Sequence, residues 1–130
     1  MYIDSNIFIY AYGNTGVRSH RCRAFLSKIE RGKQRSITSI FALNEVLKVM
    51  SEVVGEETAI ISIEKIMKIS NLNIVGADIV EFNLSLVYFR QKLGPTDAMH
   101  CAIMKKNKIT AILTYDRDFD NIKNIKRVEP

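Results

Sequence analysis

Cysteine, proline and long apolar runs are all scarce in this chain of 130 residues, and each scarcity removes a class of protein. The two cysteines, Cys22 and Cys101, stand far apart in amphipathic surroundings with no CxxC or Cys/His spacing, which argues against a zinc site and against a disulfide framework. They read as buried thiols of a reducing compartment. Both prolines fall at element edges, Pro95 ahead of a helix and Pro130 at the end, and no repeat, low-complexity tract or linker interrupts the rest. No apolar run approaches the roughly 18 residues of a membrane span. The opening MYIDSNIFIYAY meets an acid at Asp4 with no basic region before it, unlike a secretory signal. The expectation is a soluble, cytoplasmic protein made of one domain, residues 1–130.

What is present is an ordinary globular balance, 47% hydrophobic and 25% charged residues, enough for one core without staples. The net charge of +5 and pI near 9.3 favour a polyanionic partner, because lysines and arginines that neutralise phosphates release counterions. A solvated basic surface with no such partner is the plainer reading of the same numbers.

Along the chain, strand-like and helix-like segments alternate. The apolar start MYID turns directly into a helical NIFIYAY that ends near Gly13. Cys22, Phe25, Leu26 and Ile29 recur at three and four, a helix stripe closed by Gly32. RSITSI is the next strand, FALNEVLKVMSEVV the next helix, and Gly55 separates it from a helix over Glu56 to Ile69. NLNIV, a helix from Asp78 to Lys92, a helix from Thr96 to Lys106, AILT, a polar turn YDRDFD and a last strand KRV complete the order. Alternation of this kind implies parallel pairing through right-handed crossovers, hence an α/β fold: a three-layer α/β/α sandwich around a mostly parallel sheet.

In such sheets ligands bind beyond the carboxyl ends of the strands. Asp4 ends the first strand and Asp116 stands two residues past AILT, so both reach one rim. Each has a bland alternative, a helix cap for Asp4 and a turn-forming acid for Asp116. Asp97 follows Pro95 and Thr96 at a helix start, where Thr96 serves as N-cap and an acid interacts well with the helix dipole. Glu45 emerges from an apolar flank of Phe41, Ala42 and Val49, which is unusual for a solubilising glutamate; pairing with Lys48 is its plain explanation. Four carboxylates in one pocket repel, by about 4 kcal/mol for two unit charges about 4 Å apart at an effective dielectric near 20. A hard divalent cation, Mg2+ or Mn2+, is the natural compensation. His100, one turn after Asp97, reads first as a packed core histidine and second as a catalytic one. Tyr10, Tyr12 and Tyr115 read first as core and second as platforms for unpaired bases.

Taken together, YIDSNIFIYAY, ITSIFALNEVLKV, GPTDAMHCAIMKKN and ILTYDRDF, in this order and spacing, resemble the PIN domain (PilT amino-terminal) ribonucleases, especially the toxins of VapBC-type toxin–antitoxin pairs. The resemblance runs through essentially the whole chain and implies an acidic metal site of Asp4, Glu45, Asp97 and Asp116. Asn6, Ser39 and Thr114 stand where the family places supporting polar groups, and Asp118 lies in its DRDF segment. It also implies Mg2+- or Mn2+-dependent hydrolysis of RNA to 5′ phosphate and 3′ hydroxyl ends, a small antitoxin partner and a homodimer. Arg18, Arg21, Arg23, Lys33, Arg35, Lys105, Lys106 and Lys108 are candidate RNA-attracting rim residues. Three other readings stay open: an RNA-processing nuclease outside toxin–antitoxin pairs, a non-catalytic scaffold that binds RNA or a partner, and a phosphatase or phosphoacceptor with Asp4 as nucleophile. The phosphatase signature wants an aspartate where this chain has Asn6.

Overall fold

The computed structural model describes residues 1–13 and 16–130. Its strands are β1 (Tyr2–Ile3), β2 (Ser36–Ser39), β3 (Leu72–Val75), β4 (Ala111–Leu113) and β5 (Lys126–Val128). Its helices are α1 (Ser5–Gly13), α2 (Val17–Glu30), α3 (Ile40–Val54), α4 (Glu56–Met67), α5 (Ile79–Phe89) and α6 (Pro95–Lys106). The strands form one sheet of order β3-β2-β1-β4-β5 in which every pair is parallel. The alternation expected from the sequence is therefore met, and the sheet is parallel throughout.

Strand alternation divides the core into two layers. Ile3 and Leu113 face a cluster built with Ile7, Phe8, Leu26, Val46, Met50 and Ile66 from α1 to α4. Their neighbours Tyr2 and Ile112 face the opposite cluster, with Met99, Ile103 and Met104 of α6 and with Phe119. Helices cover both faces, which is the three-layer sandwich. Both cysteines are buried and free, one in each cluster.

Helix ends follow local chemistry. After α2 the chain turns through Gly32 at φ 72°, with Lys33 N–H bonded to Lys28 O and Gly32 N–H to Ile29 O, a left-handed cap that favours glycine. Asp78 and Glu81 form a reciprocal capping box at the start of α5. Two expectations change. Gly94, not Thr96, is the N-cap of α6, because Pro95 takes the first helical position, where its missing N–H costs nothing. The polar YDRDFD turn contains a 3-10 helix, Arg117–Asn121, capped by Asp116 and anchored by buried Phe119. Among the described residues no helix is long and apolar enough to cross a membrane.

Candidate metal centre

Strand order decides where a ligand fits. From β1 the chain moves to β2 and β3 on one side, while β4 pairs on the other, so the direction of winding reverses between β1 and β4. Crossovers leaving these two strands diverge, and a crevice opens beyond their carboxyl ends. Asp4 follows β1 and its N–H binds Leu113 O at 3.2 Å, at the end of β4. Asp116 lies just beyond β4, Glu45 comes from α3, and Asp97 from the first turn of α6. Elements distant in sequence thus bring all four acids to one rim.

They arrive as two groups. Ligand atoms of Asp4, Glu45 and His100 lie within 4.8 Å of one another, and so do those of Asp97, Asp116 and Asp118. In the first group Asp4 is only 4% exposed and is closely held. One carboxylate oxygen accepts from Ser5 N–H at 2.7 Å, and the other from Asn6 Nδ2 and Thr114 Oγ1, both at 2.6 Å. Thr114 Oγ1 in turn accepts from Asp116 N–H at 2.9 Å, which ties the two groups together. Burial nevertheless pushes the Asp4 carboxyl above its usual range, against the pull of His100, Thr114 and Ser5.

The outer group is more open. Asp116 accepts from Asp118 N–H at 2.9 Å through one carboxylate oxygen, so its turn-forming role is real. Asp97 is half-buried, and its carboxyl is pushed up to about 6, first by burial and then by the charges of Asp4, Asp116 and Glu45, with His100 opposing. All the proposed acids therefore act on Asp97 electrostatically. Burial and the neighbouring carboxylates together disfavour the charged form of Asp97, and His100 offsets only part of that.

A PIN domain model matches residues 1–125 of the chain. The chain belongs to the PIN domain family. It is 27% identical to Ribonuclease VapC13 of Mycobacterium tuberculosis over 128 residues, covering 97% of each, and 26% identical to Ribonuclease VapC23 of the same species over 116 residues, covering 89% of this chain and 92% of that one. Its fold is that of the M. tuberculosis toxin VapC20, with a TM-score of 0.76 at 14% identity over 92% of each chain. It is also that of VapBC2 from Rickettsia felis bound to a promoter DNA fragment, with a TM-score of 0.75 at 15% identity, covering 98% of this chain and 96% of that one.

Within this PIN domain the supporting residues divide by role. Asn6 and Thr114 touch Asp4 directly. Ser39 caps α3, accepting from Ala42 N–H at 3.2 Å, and bonds Tyr2 rather than any acid. Glu45 does not pair with Lys48; its carboxylate lies 3.1 Å from His100 Nε2. His100 is fully buried, as a core histidine would be, yet its ring nitrogen reaches the acids. The signal for it was its place one turn after Asp97, and the partner that makes it informative, Glu45, is 55 residues away. The basic rim is smaller than the sequence suggested. Lys33 and Arg35 precede β2, at its amino end, and Lys105, Lys106 and Lys108 lie at the far end of α6, about 14 Å from Asp97 at 1.5 Å per residue. Lys106 is committed to Glu81 and Asp78, and Arg23 donates to Ala11 O at 3.0 Å. Arg18 is stacked over Tyr115, the neighbour of Asp116 in sequence, with its guanidinium carbon 4.9 Å from the ring centre.

The donor set fits a hard divalent cation: four carboxylates from four elements, with a raised carboxyl at Asp97 and, among the described residues, neither the thiolates nor the histidine cluster that favour zinc.

Proposed function

We propose that this chain is a Mg2+- or Mn2+-dependent endoribonuclease that hydrolyses RNA phosphodiesters, and that it acts as the toxin of a VapBC-type pair. The observation that carries the reading is the convergence of Asp4, Glu45, Asp97 and Asp116 on the β1/β4 crevice, with the Asp97 carboxyl raised to about 6 first by burial and then by the charges of the other three acids. Relatives named ribonucleases along nearly the whole chain support it.

Asp4, Asp97 and Asp116 would hold the ion, with Glu45 directly or through water. Asn6 and Thr114 keep the Asp4 carboxylate aimed, and the Asp118 N–H orients Asp116. When bound, a divalent ion supplies Lewis acidity toward the phosphodiester and toward the attacking water. Arg18, stacked on Tyr10 and on Tyr115, the residue before Asp116 in the chain, would draw the RNA backbone toward the crevice. Products carry 5′ phosphate and 3′ hydroxyl ends.

Asp4 is a poor candidate for phosphorylation. Asn6 stands where a phosphatase needs a second acid, and it donates to one Asp4 oxygen while Ser5 N–H donates to the other. Retention of all four acids speaks against a non-catalytic scaffold. The toxin role adds two partners. A small antitoxin would lay a segment over the acidic groove, and a second copy would cover the apolar side of α5, where Ile79, Val80, Phe82, Val87 and Phe89 are each at least half exposed. Sedimentation of the purified chain tests the dimer.

The chemistry is tested by incubating structured and unstructured RNA with Mg2+ or Mn2+, wild type beside Asp4→Asn and Asp97→Asn. Cleavage by wild type alone, abolished by EDTA, is the expected result. Cutting that persists in EDTA, or full activity in either variant, removes the reading.

A further inference from the structure

Behind Glu45 lies a chain of buried side chains that the acids alone do not require. Ser39 Oγ is 2.7 Å from Tyr2 Oη, Tyr2 Oη is 2.8 Å from His100 Nδ1, and His100 Nε2 is 3.1 Å from Glu45 Oε2. Ser39, Tyr2 and His100 are each 0% exposed, so every hydrogen in the chain needs an acceptor within the protein. Ser39 Oγ already accepts from Ala42 N–H, which leaves Tyr2 Oη as the acceptor for its own hydrogen among the described contacts. The Tyr2 hydroxyl must then donate to Nδ1, and a ring whose Nδ1 accepts carries its hydrogen on Nε2. That N–H points at Glu45, with Asp4 Oδ1 3.7 Å away. The opposite direction leaves the Ser39 hydrogen without a partner.

We propose that His100 is a positioning residue: the chain Ser39–Tyr2–His100 fixes its hydrogen on Nε2, and that N–H holds the Glu45 carboxylate beside Asp4 in the metal centre. The inference rests on the reading of the acids as a metal site. Glu45 needs such a hold, since its side chain is 34% exposed on a flexible stem and faces other carboxylates that would drive it toward solvent. Although His100 sits among atoms close enough to share an ion, its ring offers that ion a hydrogen rather than a lone pair. Partners that orient a ligand in this way typically change metal affinity by about 10- to 100-fold when removed.

Two measurements test it. Long-range 1H–15N spectra of His100, with His20 as the one other histidine, should show the Nε2–H form in the metal-free chain and again with saturating Mg2+. An Nδ1–H form in either state would make Nε2 an acceptor or a ligand and overturn the proposal. The second is Mn2+ affinity, read by electron paramagnetic resonance. Tyr2→Phe keeps the buried ring and removes only the hydroxyl, and it should weaken Mn2+ binding by about 10-fold. In a His100→Gln background, where the amide supplies its own N–H to Glu45, the same change should have no effect. Unchanged affinity in Tyr2→Phe, or an equal loss in both backgrounds, also overturns it. Wild type that binds no Mn2+ would remove the metal reading instead, and the spectra of the metal-free chain would still decide where the hydrogen sits.

Discussion

The two halves of the acidic site differ in who answers their charge. Asp4 and His100 are buried and fully engaged, and the carboxylate of Asp4 is met by donors from Ser5, Asn6 and Thr114. Asp97, Asp116 and Asp118 stand more exposed, with a single backbone N–H between the last two and a raised carboxyl at Asp97. In the inner half the Asp4 carboxylate is aimed by the protein's own donors, although burial still raises it. The outer half has fewer donors from the protein, and the proposed metal site would draw on both: fixed geometry on one side, open carboxylates on the other.

Catalysis is where the halves should agree, and the effect is largest. Asp4→Asn and Asp97→Asn are each expected to lower the RNA cleavage rate by at least about 100-fold in Mn2+, whereas Asp118→Asn should lose less than about 10-fold. An Asp118 variant as inactive as the other two would put its side chain among the acids that hold the ion, rather than leaving Asp118 to orient Asp116 through its N–H. Next comes the response to the ion. At about 100 times its dissociation constant, Mn2+ should stabilise wild type by about 2.7 kcal/mol in thermal melts, and Asp97→Asn by far less. Equal shifts would mean that the ion binds elsewhere.

Without metal the halves should part in sign. Asp4→Asn points an amide NH2 at donors that need an acceptor, and stability at pH 7.5 should fall by about 1 kcal/mol. Asp97→Asn removes unmet charge and should raise it. An increase from 3.8 to about 6 would correspond to about 3 kcal/mol in a buried group, and solvent screening at this half-buried one reduces that to about 1 kcal/mol. The pH dependence follows. Because the folded-state value is raised, the stability contributed by protonated Asp97 is complete below about 3.8 and is lost as pH rises through about 6. The advantage of Asp97→Asn over wild type should therefore be present at pH 7.5 and vanish near pH 4; an advantage independent of pH would contradict the charge argument. The smallest effect concerns Gly94. A Cβ there would stand 3.2 Å from Asp97 Oδ2 on an otherwise ordinary backbone, so Gly94→Ala should leave the melting temperature nearly unchanged while weakening Mn2+ binding by about 3-fold. Unchanged affinity would show that the Asp97 carboxylate does not need its present position.

Much of this was legible before any coordinates. The period of the apolar residues marks the helices at nearly their observed bounds, and Asp4 and Asp116 can be placed on one rim because each closely follows a strand in a parallel order. Thr96 misleads because its preference for an N-cap is judged without the competing claim of Pro95. The lysines after Lys105 mislead because charge counts carry no direction, and only the axis of α6 shows that they lie opposite the acids.

What the sequence by itself determined is periodic and local: which segments are helix or strand, where turns fall, and which acids end a strand or open a helix. Such features depend on neighbours within a few residues, and those neighbours are written side by side. Only the tertiary structure decided the rest. Strand order placed the crevice between β1 and β4, the packing of α3 against α6 set Glu45 against His100, and the pairing of β1 with β2 set Tyr2 beside Ser39. Those contacts span 37 to 98 residues. They exist because the two faces of one sheet must each be buried, a demand that no short stretch of chain can express.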